Sequence, residues 1–163
     1  MTDHSSGLDL LVFRERGHRF GLDAAQVEEM LRLQELELQR DRSGRIRSFY
    51  RDGVEIPVVE MTAVIGMERA TEDEYSKLVL VNVKQSTWGF LISEPEEIVP
   101  VEVEDIELLP ALIRRMVKGS GIWGVVKGEG EMVVLVDLME AIGKVVTQGK
   151  SGEGTRDGDN TAH

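Results

Sequence analysis

Gly53-Val-Glu-Ile-Pro-Val-Val-Glu-Met-Thr-Ala-Val-Ile-Gly66 returns near the end of the chain as Gly130-Glu-Met-Val-Val-Leu-Val-Asp-Leu-Met-Glu-Ala-Ile-Gly143. In each copy a turn glycine opens a β-branched run, Ile56 to Val59 or Val133 to Val136, and an acid follows, Glu60 or Asp137. A short helical segment closed by Ile-Gly then ends the unit. The acid stands where a helix N-cap belongs, because a carboxylate accepts from the unpaired N–H groups of a first turn. The closing glycine reads as the residue just past the helix end.

A second echo lies upstream of each copy. Phe20-Gly21-Leu22 followed by Val27-Glu28-Glu29-Met30-Leu31 recurs, at the same spacing, as Trp88-Gly89-Phe90 followed by Pro95-Glu96-Glu97-Ile98-Val99. The chain therefore reads as two related halves, each with an aromatic-Gly hairpin strand and then a Gly-strand-acid-helix unit. Two copies make a pseudo-symmetric duplication rather than a solenoid.

Working outward, Leu8 to Arg14 reads as a strand buried on both faces, with Leu8, Leu10 and Val12 on one side and Leu11 and Phe13 on the other. Glu15 to His18 turns it into a return strand at Arg19 to Leu22. Asp23 caps a short helix through Ala24, Ala25, Gln26 and Val27, which passes into a strand near Met30 to Leu33. Gln34 to Arg47 is polar and Arg-rich and reads as a loop. Arg51-Asp52-Gly53 turns a hairpin, and Pro57 makes its second strand an edge or a corner. Lys77 to Val83 and Thr87 to Ile92 form the second main hairpin, turned by Lys84-Gln85-Ser86. Leu108 to Val117 reads as a helix with Leu109, Leu112, Ile113 and Met116 on one face. Ile122 to Lys127 and Met132 to Val136 are the last strands. Short strands every 8–12 residues, with helices too short for βαβ crossovers, favour a mainly β fold of small closed barrels, with a β-sandwich as competitor. Residues 1–7 and 147–163 read as disordered tails around one folded unit at 8–146.

The 163 residues carry a formal charge of −11, which argues against a general binder of phosphate backbones. No cysteine is present, which removes disulfides, thiolate catalysis and Cys-based zinc sites together. The N-terminus lacks a basic and an apolar region, and no apolar run approaches the roughly 20 residues that span a bilayer. A cytoplasmic chain without membrane insertion is the expectation. The near P-loop from Gly143 to Ser151 has five residues between its glycines where a phosphate cradle needs four. His4, His18 and His163 offer no zinc spacing and no second catalytic partner. No enzyme activity, metal or cofactor is expected. Arg32, Arg40, Arg42, Arg45, Arg47 and Arg51 form one basic stretch, open to an acidic partner surface, to nucleic acid, or to pairing with the acidic segment from Glu94 to Glu107. Aromatic residues are not interleaved through it to stack bases, so nucleic acid is not the expected partner.

Phe-x6-Phe-Gly-Leu-Asp-x3-Val-Glu-Glu-Met at 13–30, Ile-Pro-Val-Val-Glu-Met at 56–61, Trp-Gly-Phe-Leu-Ile-x5-Ile at 88–98 and Val-Val-Leu-Val-Asp-Leu at 133–138 together resemble CheW-like domains, the coupling modules of bacterial chemotaxis arrays. The resemblance runs from about Leu8 to Lys144. It implies two intertwined five-stranded SH3-like β-barrels with short helices and an apolar core between them. It also implies a non-catalytic adaptor binding the regulatory domain of a CheA-type histidine kinase and the cytoplasmic tip of chemoreceptors. Kinase-facing positions map to Val27, Glu28 and Met30, and receptor-facing ones to Arg47, Arg51, Asp52 and Gly53. The family usually carries Gly-x-x-Asn-Leu-Arg-Gly where this chain has Arg47-Ser48-Phe49-Tyr50-Arg51-Asp52-Gly53. Asp52 thus reverses the charge of the family's arginine, and a diverged interaction domain serving another kinase pathway or scaffold is the alternative.

Overall fold

The computed structural model describes residues 7–66, 75–127 and 130–143. The tails read at 1–7 and 147–163 fall outside these, apart from Gly7, as does the near P-loop beyond residue 143. The first half runs β1 (Gly7–Glu15), β2 (His18–Asp23), β3 (Val27–Arg32), β4 (Glu37–Arg40), β5 (Ile46–Arg51), β6 (Val54–Glu60) and helix α1 (Met61–Val64). The second runs β7 (Lys77–Val83), β8 (Ser86–Ile92), β9 (Glu94–Glu102), β10 (Ile106–Leu108), α2 (Ala111–Met116), β11 (Ile122–Lys127) and β12 (Met132–Val136), with residues 138–143 helical as α3.

These strands make two six-stranded mixed sheets, ordered β10-β11-β12-β2-β1-β9 and β3-β7-β8-β6-β5-β4. The halves exchange strands. Hairpin β1–β2 is flanked by β9 and β12 of the second half, and hairpin β7–β8 by β3 and β6 of the first. The parallel contacts β2·β12 and β8·β6 lie at equivalent places, so one pseudo-two-fold relates the sheets.

Six strands per sheet, rather than five, correct the expectation from the sequence. Residues 34–47, read as loop, supply β4, whose Leu38 is its only large apolar side chain, and β10 is the equivalent edge in the second half. Both are short and polar on their outer side, so alternation barely marks them. No hydrogen-bonded pair joins the outer strands of either sheet into a closed barrel among the described residues.

Alternation along β1 and β7 builds the interior. Leu11 and Phe13 with Val79 and Val81 face one core shared by both sheets, joined by Phe20, Phe90, Met61, Leu138 and Ile142. Their neighbours Leu10 and Val12, and Leu78 and Leu80, face a separate core on the far side of each sheet. Both-sided burial is thus as read for β1. Gly21 and Gly89 are required by these far cores: a Cβ on Gly89 would lie 2.8 Å from Leu78 Cδ2, and one on Gly21 3.3 Å from Leu10 Cδ1.

Both main hairpins turn on two residues, fewer than expected. Arg16 and Gly17, and Lys84 and Gln85, have positive φ, as do Asp52 and Gly53, which is the geometry that matches strand twist. Glu15 consequently belongs to β1, fully buried, accepting from the Ser93 N–H (2.7 Å) and hydroxyl (2.8 Å). Asp23 caps a single 3-10 turn, Ala24–Gln26, by accepting from the Ala25 N–H. Asp137 accepts from the Met139 N–H (2.9 Å), whereas Glu60 at the start of α1 instead accepts from the Tyr75 hydroxyl (2.6 Å). Gly66 ends α1 with φ +74, while residue 143 is still helical. Pro57 sits at a corner: β6 pairs with β5 through Val54–Pro57 and with β8 only from Val58 on.

Helix α2 is shorter than expected, with Leu108 ending β10 and Leu109 ahead of its first turn. None of its residues is buried, and Leu112 is 67% and Met116 74% exposed. It lies between β10 and β11, where the first half has only residues 41–45 between β4 and β5, so it is an insertion the core does not need.

Candidate partner-binding site

β3 is the outer strand of its sheet and carries a β-bulge: Val27 faces Val81, then Glu29 faces Leu80, leaving Glu28 as the extra residue. The bulge puts Val27 and Met30, three apart, on one face, where both rest half-buried against the shared core. Glu28 and Glu29 point to solvent. Of the three residues expected to face a kinase, Glu28 is therefore the exposed one, while Val27 and Met30 pack against the core.

Arg51, Asp52 and Gly53 form the exposed β5–β6 turn, and Arg47 lies exposed further back on β5. Asp52 (φ 53) and Gly53 (φ 81) occupy the two left-handed turn positions. Arg51 Nη2 donates to Glu29 Oε1 at 2.7 Å, so this turn is tied by one ion pair to β3, beside Glu28. That hydrogen bond and the charge of Glu29 hold the Arg51 guanidinium above its ordinary range. The chain thus carries an arginine at this turn one residue before the position where the family motif has it.

An open groove of about 580 Å³ runs from this turn to the β7–β8 turn, lined by Arg51, Asp52, Val54, Pro57, Thr87 and Trp88 among others. Its walls mix two acids, Asp52 and Glu55, and one base, Arg51, with exposed Val54 and half-buried Trp88, a composition suited to a polypeptide surface. Val54, Glu29, Thr87 and Trp88 were not singled out by the sequence reading, although the Phe20-to-Trp88 echo already placed Trp88 in a repeated strand.

Elsewhere, the acidic segment is engaged by other cations than the Arg stretch: Glu96 by Arg14 (2.8 Å) and Arg19 (2.9 Å), and Glu107 by Lys127 (3.3 Å). His18 is exposed at the start of β2. Among the described residues no group of three His, Asp or Glu side chains converges to hold a metal, and no helix is long and apolar enough to cross a membrane.

The CheW-like domain family model matches residues 9–145, most of the chain. The chain belongs to the CheW-like domain family. Among solved structures, the crystal structure of scaffolding protein TtCheW from Thermoanaerobacter tengcongensis is similar with a TM-score of 0.67 and 17% identity, over 82% of this chain and 91% of that one. At that identity the likeness is one of fold. No curated protein matches in sequence.

Proposed function

We propose that this CheW-like domain is a non-catalytic adaptor in chemotaxis signalling, joining the regulatory domain of a CheA-type histidine kinase to chemoreceptor cytoplasmic tips in the cytoplasm. The reading rests above all on the Arg51–Glu29 pair, which fixes the β5–β6 turn against β3 and gives one preformed surface beside an open groove. Preorganisation of this kind lowers the ordering cost of docking. In this reading each sheet, wrapped on its own core, is the counterpart of an SH3-like barrel. Kinase contact is assigned to Glu28 over Val27 and Met30, and receptor contact to Arg47, Arg51, Asp52 and Gly53. Neither nucleic acid nor membrane is a partner.

Asp52 favours a second reading, a diverged module whose receptor-side partner carries Lys or Arg in place of an acid. Titration calorimetry with a purified kinase regulatory domain and a receptor-tip fragment tests both. The adaptor reading expects kinase binding by the wild type and tighter receptor-tip binding by Asp52→Arg, most at low salt. No binding to the kinase domain overturns it; equal receptor-tip binding by wild type and Asp52→Arg returns Asp52 to the role of a turn residue.

A further inference from the structure

The duplication supplies an internal comparison for Glu28. By the echo that relates Phe20 to Trp88, Glu28 corresponds to Glu96, and both lie in the equivalent bulge: Pro95 faces Phe13 and Ile98 faces Leu11, as Val27 faces Val81 and Met30 faces Val79. Glu96 is clamped. Arg14 Nε and Arg19 Nε donate to its two oxygens at 2.8 and 2.9 Å, Arg14 facing Arg19 directly across β1 and β2. Arg14 also bonds Glu131 just ahead of β12, so one ionic network crosses four strands. On the other sheet, Arg14 and Arg19 are replaced by Asn82 and Thr87, which likewise face one another, and Glu131 by Val54. There, among the described residues, Glu28 receives only a 3.4 Å contact from Asn82 Nδ2, and Val54 is 61% exposed. Arg51, the nearby cation, is taken by Glu29.

We infer that the strip Glu28–Asn82–Thr87–Val54 is the open counterpart of the Arg14–Arg19–Glu96–Glu131 clamp, and that it docks a basic partner segment whose paired arginines take the places Arg14 and Arg19 hold around Glu96. An apolar side chain between them covers Val54. The geometry for a carboxylate accepting two guanidiniums at this bulge is already realised once in the same fold, and a desolvated charge-assisted contact of this kind carries specificity. The closed strip does not dock, so only one of the two pseudo-equivalent faces is used. This inference rests on the adaptor reading only for the partner's identity, not for the strip's chemistry.

The test uses the full chain and the peptide amide Arg-Leu-Arg as probe, followed by NMR. Saturable shifts are expected at the amides of Glu28, Asn82 and Thr87 and not at Glu96, Arg14 or Arg19; no shift, or equal shifts on both strips, overturns the inference whatever the kinase does. Glu28→Lys should weaken the probe at least roughly tenfold. The double substitution Asn82→Arg with Thr87→Arg, which rebuilds the clamp within the chain, should abolish probe binding with the fold retained by circular dichroism. Undiminished probe binding by that double variant also overturns it. Where the kinase domain binds wild type and double variant alike, the adaptor reading stands and the strip is excluded as its contact.

Discussion

At the scale of single residues, charge and backbone conformation carry the sharpest expectations. Glu15 is buried beside Ser93, whose N–H and hydroxyl it accepts, and Glu15→Ala leaves both donors without that carboxylate. A loss of about 2–3 kcal/mol in urea unfolding is expected. Gln85 holds φ +67 without being glycine, a conformation that strains a side chain, so Gln85→Gly should raise stability by about 0.5–1 kcal/mol, read in the same way. Glu96 and Glu131 are held below the ordinary carboxylate value of 4.5, first by hydrogen bonds from Arg14, against partial desolvation. A carboxylate with a depressed folded-state pKa contributes stability present above its unfolded value and lost as pH falls through the folded one. The melting temperature should therefore drop as pH is lowered below about 4.5, and Arg14→Met should flatten that part of the profile; an unchanged slope would show that the clamp contributes nothing to acid stability.

At the scale of elements, α2 separates periodicity from burial. The spacing of Leu109, Leu112, Ile113 and Met116 predicts one apolar face and a helix forms at Ala111–Met116, but amphipathic order does not say whether such a face meets a core. Leu112→Ser and Met116→Ser should each change unfolding free energy by less than about 0.5 kcal/mol, as for exposed positions, while Phe90→Ala in the shared core should cost about 3–5 kcal/mol. A large loss from Leu112→Ser would return the helix to a packing role. The hairpins, the capping Asp137 and the two-sided burial of β1 were legible because alternation and turn residues are local signals. β4 and β10 were not, since a short edge strand with one half-buried face has too few alternations to count. The pairing of Arg51 with Glu29 was hidden as well: it depends on β3 and β5 reaching one side of a sheet through strands of the other half. The contrast between Glu28 and Glu96 was present in the repeated sequence, but only the bulge register and the interatomic distances turn it into a statement about what each carboxylate meets.

At the scale of the whole molecule, strand exchange governs how the chain can be divided. Neither half owns a complete sheet: residues 7–66 lack the neighbours of β1 and β2, and residues 77–143 lack those of β7 and β8. Fragments 1–70 and 71–163, expressed separately, should each lack cooperative unfolding by circular dichroism, and mixing them should restore it in a one-to-one complex. Independent folding of either fragment would contradict the exchange as the source of stability. The same exchange bears on motion. A hinge needs a boundary that few contacts cross, and here two antiparallel and two parallel strand ladders cross it. The molecule is therefore a strut and not two beads on a string, so anything attached to one sheet keeps a fixed distance and angle to anything attached to the other.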